Sequence, residues 1–444
     1  MTSLFIPPYP PRQPTPTSSW RGFFGERART AVYGWSQFAF KTHIKRQIIG
    51  FTVHVVLDPD HVQHVLLDNA ANYAKPDIVK TLLDPIIGRG LLTSDAELWR
   101  EQRRIVAASF SPAAVEAQRG MFVEAARTAM AGWSDGEVRD MAAEATRTTM
   151  SIIALALFGG DPRLISESSM NHIAAAIEGF SEARLLALLR LPQFPVTRKG
   201  RAGKRGQEFL RRTLAQVVDD RWHGRVERDF LSGMIDALRN RFPEAEARAL
   251  AIDNAATFYL AGHETTANAL AWTLSLLAAQ PELQEELAVE ADQAIAAGEE
   301  DVAERTPRLR LFLSESLRLY PPVPRFDRQA IGPDRVGDHE IGPGDIISIW
   351  PWLLHRHRAL WDDPDAFDVD RFAEKGGRHR FQYLPFGAGP RTCVGGQFAT
   401  AEALTLLAHW LARWRFVDIG HPAQAAGMVT LRPKGGLPLR LERR

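Results

Sequence analysis

The most informative stretch of this 444-residue sequence is Phe386-Gly-Ala-Gly-Pro-Arg-Thr-Cys-Val-Gly-Gly396, which contains the chain's single cysteine. Its glycines permit a tight turn with positive φ and a close backbone approach to something flat. A predicted helix starts just after Cys393, and the free N–H groups and dipole of a helix start stabilise a thiolate. Arg391 adds a permanent cation suited to a carboxylate. An anionic sulfur held by amide hydrogen bonds is what a cysteine-ligated iron requires; the alternative is a buried structural cysteine in a glycine-rich loop.

This loop resembles the haem-binding signature F-x-x-G-x-R-x-C-x-G of the cytochrome P-450 family at every fixed position, namely Phe386, Gly389, Arg391, Cys393 and Gly395. Three further landmarks of the family occur in the same order, so the resemblance covers about residues 50–440. It implies a mainly α fold with a smaller β-rich lobe. It also implies haem b, ligated by Cys393 and held between a long central helix and the cysteine loop, in a monooxygenase that hydroxylates its substrate with O2.

The second landmark lies in a long apolar segment, residues 244–279, which would span roughly 50 Å as a helix. Because it is apolar nearly all round, it is expected to run through the core. Its middle, Ala261-Gly-His-Glu-Thr-Thr266, resembles the family's A-G-x-[DE]-T-T oxygen-binding segment. The resemblance places Ala261 and Gly262 at the haem with room for dioxygen, and makes Glu264 and Thr265 the acid and alcohol that deliver protons. The alternative is a solvent-facing Glu264 and a helix-bending Thr265.

The third landmark is Glu315-Ser-Leu-Arg318, whose first and last residues share a helix face and can pair directly. In the family this pair is buried and joined by an arginine from a later loop, which Arg371 resembles, although Val369 stands where the common motif has proline. The resemblance implies that the triad holds the cysteine loop and does not react. An exposed helix pair is the alternative, and it would contribute little.

The fourth landmark is a W-x-x-x-R pattern, Trp99 and Arg103, whose i, i+4 spacing puts the indole N–H and the guanidinium on one face. The resemblance makes their common acceptor a haem propionate. Arg328 and Arg391 resemble two further propionate arginines, and arginine clamps on carboxylates are chemically reasonable.

The positions that the resemblance places around a substrate are mainly apolar, which implies an apolar substrate. They include the stretch 180–195 and the residues Leu91, Leu92, Phe258, Val323, Phe326 and Val429. Ordinary core packing is the alternative for any one of them. Arg325 either meets a substrate carboxylate or points to water, and we favour the second.

The composition is that of a globular protein, with 45% hydrophobic and 24% charged residues and a net charge of +1 that gives no hint of nucleic-acid binding. One cysteine excludes an internal disulfide and suits a reducing cytoplasm. Residues 1–20 are proline-rich and predict a flexible arm without the apolar run of a membrane anchor. Residues 21–444 are expected to form one domain, in a monomeric protein.

Local patterns also predict individual elements. Residues 51–57 are rich in β-branched and aromatic residues and predict a strand, and a second strand is predicted from Ile341 to Trp350, opened by Gly342-Pro343-Gly344. Apolar residues recur at three- and four-residue spacing over 113–132, 137–158 and 205–222, which predicts helices there.

No flavin- or NAD-binding region is recognisable in the sequence, so electrons are expected from a separate 2Fe-2S ferredoxin with its reductase. A set of basic residues on the cysteine side could steer an acidic ferredoxin, namely Arg100, Arg103, Arg104, Lys375, Arg378 and Arg380. A solvated charged face is an equally good interpretation.

Two other functions remain open. A peroxide-using haem-thiolate enzyme would share the fold, but such enzymes lack the acid–alcohol pair that Glu264 and Thr265 provide. A non-catalytic haem-binding sensor or carrier would not need that pair or an apolar cavity. The fold by itself does not choose a substrate.

Overall fold

A computed structural model describes residues 4–15, 30–33, 35–48, 50–188, 195, 197–226, 228–374, 376–427 and 429–444, without the side chains of residues 177, 178 and 180–188. Its α-helices are α1 Pro59–Gln63, α2 Asp77–Ile87, α3 Ala96–Ala107, α4 Pro112–Glu116, α5 Arg119–Met130, α6 Met141–Phe158, α7 Pro162–Ile165, α8 Glu167–Leu188, α9 Arg198–Trp222, α10 Phe230–Arg239, α11 Glu244–Ala278, α12 Pro281–Ala297, α13 Val302–Arg305, α14 Pro307–Leu319, α15 Pro351–Leu354 and α16 Gly396–Leu411. Of the described helices, none is both long and apolar enough to cross a membrane.

The strands are β1 His43–Ile48, β2 Phe51–Val56, β3 Tyr73–Ala74, β4 Val138–Asp140, β5 Phe326–Ala330, β6 Asp334–Val336, β7 His339–Ile341, β8 Ile346–Ile349, β9 Trp414–Asp418, β10 Ala425–Ala426, β11 Arg432–Pro433 and β12 Pro438–Arg443. The largest sheet has the order β1-β2-β8-β5-β3. Strand β8 lies in its middle, pairs parallel with β2 and antiparallel with β5, and is buried at all four positions. A strand buried on both faces is mainly apolar, as the three isoleucines of β8 show. The buried Ser348 hydroxyl donates to the Asp327 carboxylate at 2.6 Å. The mainly α fold with smaller β regions is therefore confirmed.

The chain divides into two compact units, and each is made of separate stretches of sequence. Unit 1 comprises Met1–Tyr73, Val115–Thr148 and Thr265–Arg444, and unit 2 comprises Ala74–Ala114 and Thr149–Glu264. The single domain expected over residues 21–444 stays a prediction.

In unit 1, helix α16 continues directly from the cysteine-containing segment and is buried along most of its length. It packs on α5 through an edge-to-face contact between Phe122 and Phe398, whose ring centroids are 5.0 Å apart. Burial on nearly all sides explains the apolar composition of α16 and fixes the position at which it begins.

In unit 2, the first part of α11 is buried over nine consecutive residues, 251–259. Such a run has no solvent-facing side, as its all-round apolar composition predicted. The helix is assigned without a break through Gly262 and Thr265. At this point the His263 carbonyl accepts a hydrogen bond of 3.1 Å from the Thr149 hydroxyl of α6.

Part of the predicted N-terminal arm lies against unit 1. The Arg12 guanidinium pairs with the Asp365 carboxylate at 2.5 and 2.9 Å. The Phe367 amide donates to the Phe5 carbonyl at 2.8 Å, and the Tyr320 hydroxyl donates to the Pro8 carbonyl. Proline removes backbone donors but leaves carbonyl acceptors, and this arm uses those acceptors. Its flexibility stays a prediction, and residues 1–3 and 16–20 lie outside the described part of the chain.

Candidate active site

The cysteine loop, residues 386–396, is folded back on itself by backbone hydrogen bonds. The Cys393 amide donates to the Phe386 carbonyl at 2.9 Å, and the Thr392 amide donates to the Gly389 carbonyl at 3.1 Å. Gly387 and Gly389 have φ values of +68° and +70°, as the glycine content predicted. A Cβ at Gly389 would overlap the Leu66 carbonyl oxygen, so this position has a steric reason for glycine as well. Cys393 is exposed, immediately before the start of α16.

His355 connects the segment immediately before the cysteine loop to helix α14. The Leu384 amide donates to its Nε2 at 2.8 Å, so the ring proton is on Nδ1, which donates to the Arg318 carbonyl at 3.2 Å. Burial, together with the Arg318 cation, lowers the pKa of His355 to about 3. A neutral histidine therefore joins the two segments, and no motif in the sequence predicted it.

The structure brings Glu315, Arg318 and Arg371 together. Arg318 donates from Nε and Nη2 to the two Glu315 oxygens, each at 2.7 Å, and both side chains are fully buried. Arg371 Nε adds a third bond to Glu315 at 3.0 Å.

Arg318 also donates to the carbonyls of His355, Pro364 and Ala366, at 2.7, 2.7 and 2.8 Å. A buried cation with this many partners is satisfied, and its removal would leave several acceptors without a donor. The triad is thus a structural clamp beside the segment that leads to the cysteine loop.

Arg328, on β5, and Arg325, just before β5, differ in their surroundings. Arg328 is buried on β5, and its guanidinium lies 5.5 Å from the centroid of the Phe326 ring. Arg325 instead donates from Nε and Nη2 to the Asp327 carboxylate at 3.0 and 2.5 Å. Its charge is thus neutralised within the chain, whereas the sequence interpretation favoured an arginine that points to water. Arg391, within the cysteine loop, is half-buried.

In unit 2, Trp99 and Arg103 are half-buried on α3, one turn apart as predicted. The residue that anchors this helix is Gln102, which is buried between them. Its Nε2 donates to the Arg89 carbonyl at 3.1 Å, and its Oε1 accepts from Asn254 of α11 at 2.6 Å. The Asn254 oxygen in turn accepts from the Leu91 amide at 2.9 Å. Sequence patterns gave no signal for this chain of hydrogen bonds, because it joins residues more than 150 positions apart.

The predicted oxygen-binding segment includes positions of different character. A Cβ added to Gly262 would lie 2.6 Å from Cδ1 of Ile153, so packing against α6 is a reason for glycine here. His263 is buried, and its Nδ1 lies 2.5 Å from the Tyr259 carbonyl. Burial lowers the pKa of His263, which is therefore neutral. Glu264 and Thr265 are both half-buried, whereas Ala261 is exposed.

Thr266 lies near Glu402 of α16, a buried carboxyl that the sequence interpretation missed. Among the described residues neither Glu402 oxygen has a hydrogen-bond partner. Burial raises the pKa of Glu402 well above its usual value, and the nearby Thr266 hydroxyl opposes that rise only in part. Burial therefore favours the protonated, neutral form of the Glu402 carboxyl.

The predicted pocket residues are not equally accessible. Leu91 and Phe258 are buried, Val323 and Phe326 are half-buried, and Leu92 and Val429 are exposed. Phe258 packs against Phe110 and Phe230 with centroid distances of 6.1 and 5.8 Å. The side chains of residues 180–194 lie outside the described part of the chain.

The predicted basic patch is partly neutralised. Arg100 pairs with Glu97 at 3.0 Å, and Arg104 pairs with Glu101 at 2.9 Å. Arg378 donates to the Glu374 carbonyl at 3.0 Å, and Lys375 lies outside the described residues. Surface pairs of this kind are weak, so a charged partner can still reorganise them.

The donor set fits a haem iron. No group of three or more histidine, cysteine or acidic side chains is arranged around a metal position within the described ranges. Cys393 offers one exposed sulfur, and one axial thiolate is what a haem iron needs, since the porphyrin supplies the other ligands. The buried Arg328 and the half-buried Arg391, Trp99 and Arg103 are donors of the kind that propionates require.

Comparisons with known proteins agree with these observations. The family model for cytochrome P-450 matches residues 40–436. Cyclooctatin synthase of Streptomyces melanosporofaciens is 31% identical over 384 residues, which cover 83% of this chain and 81% of that protein. Protein LUTEIN DEFICIENT 5, chloroplastic, of Arabidopsis thaliana is 29% identical over 424 residues, covering 88% of this chain and 70% of that protein. The crystal structure of the cytochrome P-450DA haem domain matches with a TM-score of 0.81 at 24% identity, covering 99% of this chain and 98% of that one.

Proposed function

The chain belongs to the cytochrome P-450 family, and from that premise we propose that it hydroxylates an apolar small molecule, with electrons from a separate 2Fe-2S ferredoxin. Membership makes it a haem-thiolate monooxygenase that uses O2 and a redox partner. The observation that carries the proposal is the exposed Cys393, set in a loop whose backbone groups are hydrogen-bonded to each other.

Each part of the site has a role in this proposal. The Cys393 thiolate would hold the iron of haem b, and a thiolate-ligated haem would supply the chemistry of O–O bond cleavage. The propionates would be held by Arg328, Arg391, Trp99 and Arg103, with Phe386, Gly395, Ala261 and Gly262 in contact with the porphyrin. Glu315, Arg318 and Arg371 would keep the cysteine loop in place through His355 and the buried backbone carbonyls.

Proton delivery is the task of Glu264 and Thr265 in this proposal. Both are half-buried, so neither side chain is fully shielded from water. A carboxyl that exchanges protons with water and a hydroxyl that passes them on together form a general acid relay. This pair favours O2 as the oxidant over a peroxide-using enzyme, and a sensor or carrier would not need it.

The substrate is proposed to be apolar. The half-buried Val323 and Phe326 and the buried Leu91 and Phe258 support this, because sites for small molecules are lined mainly by apolar side chains. Leu92 and Val429 would line the approach to the site. Arg325 is already bound to Asp327, so a carboxylate substrate would have to compete with that pair.

The redox partner is proposed to be an acidic protein that docks near Arg100, Arg103, Arg104, Arg378 and Arg380. Opposite charges steer association, and the intrahelical pairs of Arg100 and Arg104 contribute too little to prevent it. We further propose a monomer that acts in a reducing cytoplasm.

Replacement of Thr265 by alanine tests the proton relay. The haem spectrum should be unchanged. NADH consumed through ferredoxin and reductase should mainly produce peroxide, so that the product formed per NADH falls by on the order of tenfold or more. Thr265→Ser is the matched control, since it keeps the hydroxyl and should keep coupling. Equal coupling in Thr265→Ala and the unaltered protein would remove this role from Thr265.

A further inference from the structure

Helix α9 has a concentration of positive charge on its outer face. Arg201, Arg205 and Arg212 recur at the spacing of a single helical stripe, with Lys204 beside them, and all four are exposed. Arg198, also exposed, lies at the start of the helix. Glu208 is the one acidic residue between positions 198 and 212.

The opposite face of α9 is fixed by close packing against α8. A Cβ on Gly203 would lie 2.9 Å from Cα of Gly179, and a Cβ on Gly206 would overlap the His172 carbonyl oxygen. Leu210 and Leu214 continue this buried face. Because the two helices are in backbone contact here, α9 cannot rotate about its axis to hide the charged stripe.

Four of these cations have no acidic partner among the residues that the structure describes. Within the described residues, Arg198, Lys204, Arg205 and Arg212 form no ion pair, whereas Arg211 pairs with Asp253 at 2.5 Å. Residues 198–212 include seven Lys and Arg and one Glu, a net charge of +6. The whole chain has a net charge of +1, so the rest of the sequence sums to −5. A local field of this kind attracts an extended anionic partner.

We propose that the outer face of α9 docks the protein peripherally on an anionic phospholipid surface. The stripe is a row of about 20 Å on a convex helix, without a groove that would select one shape. The aromatic residue nearest to the stripe, Phe209, is half-buried and stacks on His172 of α8 with ring centroids 4.1 Å apart, so it is engaged and does not serve as the anchor of a protein interface or as a stacking platform for single-stranded nucleic acid. Long cationic side chains without an anchor suit a surface whose negative charge is diffuse, as in anionic lipid.

Docking would also bring a second part of unit 2 to the lipid. Arg211 donates to Asp253 at 2.5 Å and to the Ile86 carbonyl at 3.4 Å, and Asp253 accepts from the Arg89 amide at 2.8 Å. Helix α9 is thus tied to the segment that precedes Leu91. The predicted pocket residue Leu91 would then lie near the bilayer, which concentrates apolar compounds. This consequence rests on the proposed function, whereas docking itself does not.

Co-sedimentation of the haem-loaded full chain with phospholipid vesicles tests the proposal. The protein should bind vesicles that contain about one-third phosphatidylglycerol in phosphatidylcholine at about 0.05 M salt, and should be released at about 0.5 M salt. It should not bind vesicles of phosphatidylcholine alone. Lys204→Glu with Arg205→Glu should weaken binding at least about tenfold.

The matched control is Lys41→Glu with Arg46→Glu, which changes the net charge equally at two exposed positions of unit 1. It should bind like the unaltered protein. Four results would overturn the proposal: no binding at low salt, equal binding to phosphatidylcholine, equal losses in the two double variants, or α9-dependent binding to RNA or to an acidic protein without binding to vesicles. The carbon monoxide spectrum of each variant, which reports the haem site, keeps failure of docking distinct from failure of the proposed function.

Discussion

The cysteine loop of unit 1 and the 88–92 loop of unit 2 are held by different means. The cysteine loop is fixed by bonds among its own residues, Cys393 to Phe386 and Thr392 to Gly389, with His355 as a buried link to the triad. The 88–92 loop depends on side chains of α3 and α11, since Asp253 accepts from the Arg89 amide and Asn254 from the Leu91 amide. The cysteine loop, which carries the proposed haem ligand, is thus held by its own backbone bonds. The 88–92 loop, which carries predicted pocket residues, has local backbone bonds as well but is also held by side chains from distant positions.

Disruption of the triad should have the largest effect. Glu315→Gln removes the charge that two buried arginines share, so we expect a loss of about 3–5 kcal/mol in the free energy of unfolding and failure to retain haem. Urea unfolding and haem content measure this. Glu97→Gln, which removes an exposed pair with Arg100, should change stability by less than about 1 kcal/mol. Similar stabilities for the two variants would contradict a structural role for the triad.

Loss of the His355 link should have an intermediate effect. His355→Phe leaves the buried Leu384 amide without its acceptor, which should reduce the free energy of unfolding by about 1–3 kcal/mol at neutral pH. Unfolding in urea at neutral pH, compared with that of the unaltered protein, measures the loss. An unchanged stability at this pH would show that the link contributes nothing to holding the loop.

The same residue gives a pH dependence whose sign follows from its lowered pKa. The pKa of His355 is about 3 in the folded protein and ordinarily 6.5, so between pH 3 and pH 6.5 the unfolded chain binds more protons than the folded one. Stability supplied by His355 is present above pH 6.5 and is lost as the pH falls toward 3. His355→Phe should therefore lose less stability than the unaltered protein between pH 7 and pH 5, whereas replacement of the exposed His223 by Gln should leave that difference unchanged.

The smallest effect is expected at Gln102. Gln102→Leu leaves the Arg89 carbonyl without one donor, but Asn254 still donates to the Leu250 carbonyl at 2.9 Å. We expect a loss of about 1 kcal/mol in the free energy of unfolding, an unchanged carbon monoxide spectrum and altered spin-state shifts with apolar ligands. Gln47→Leu, at an exposed position of β1, serves as the control for stability. A lost thiolate spectrum in Gln102→Leu would remove the distinction between the two loops.

These expectations also show which features the sequence could predict. The strand expected at residues 51–57 is β2, Phe51–Val56, which is rich in β-branched residues. The helix expected at 244–279 is α11, Glu244–Ala278, which is apolar nearly all round. The strand expected from Ile341 to Trp350 was wrong over its first half. Gly344, with a φ of +85°, and the bond from the Asp345 amide to the Gly342 carbonyl form a turn between β7 and β8. Gly342-Pro343-Gly344 therefore forms the turn itself and does not begin a strand.

Other differences have similar local causes. The helix expected over 113–132 is divided into α4 and α5, and the one expected from residue 137 begins at Met141 after strand β4. The α9 helix was expected to begin at residue 205, because the glycines before that position reduce intrinsic helix propensity. It starts at Arg198, because the same glycines allow close contact with α8. Tertiary packing stabilises what the local sequence disfavours.

The site shows the same division. Glu315 and Arg318 pair because their spacing puts them on one face of a helix. Arg371 joins them from a later loop, as the family resemblance implied. His355, Gln102 and Glu402 could not be found in this way. His355 and Gln102 depend on burial and on a partner from a distant segment, and Glu402 stands out by its burial. A lone histidine, glutamine or glutamate in a sequence has no signal for either property.

The absorption spectrum of the reduced protein under carbon monoxide, compared between the unaltered chain and Cys393→His, tests the central claim that Cys393 ligates a haem iron. We predict a strongly red-shifted Soret band in the unaltered protein and its loss in the variant, which should instead show the band typical of histidine-ligated haem. A histidine-type band in the unaltered protein, or a red-shifted band that survives in Cys393→His, would contradict the claim.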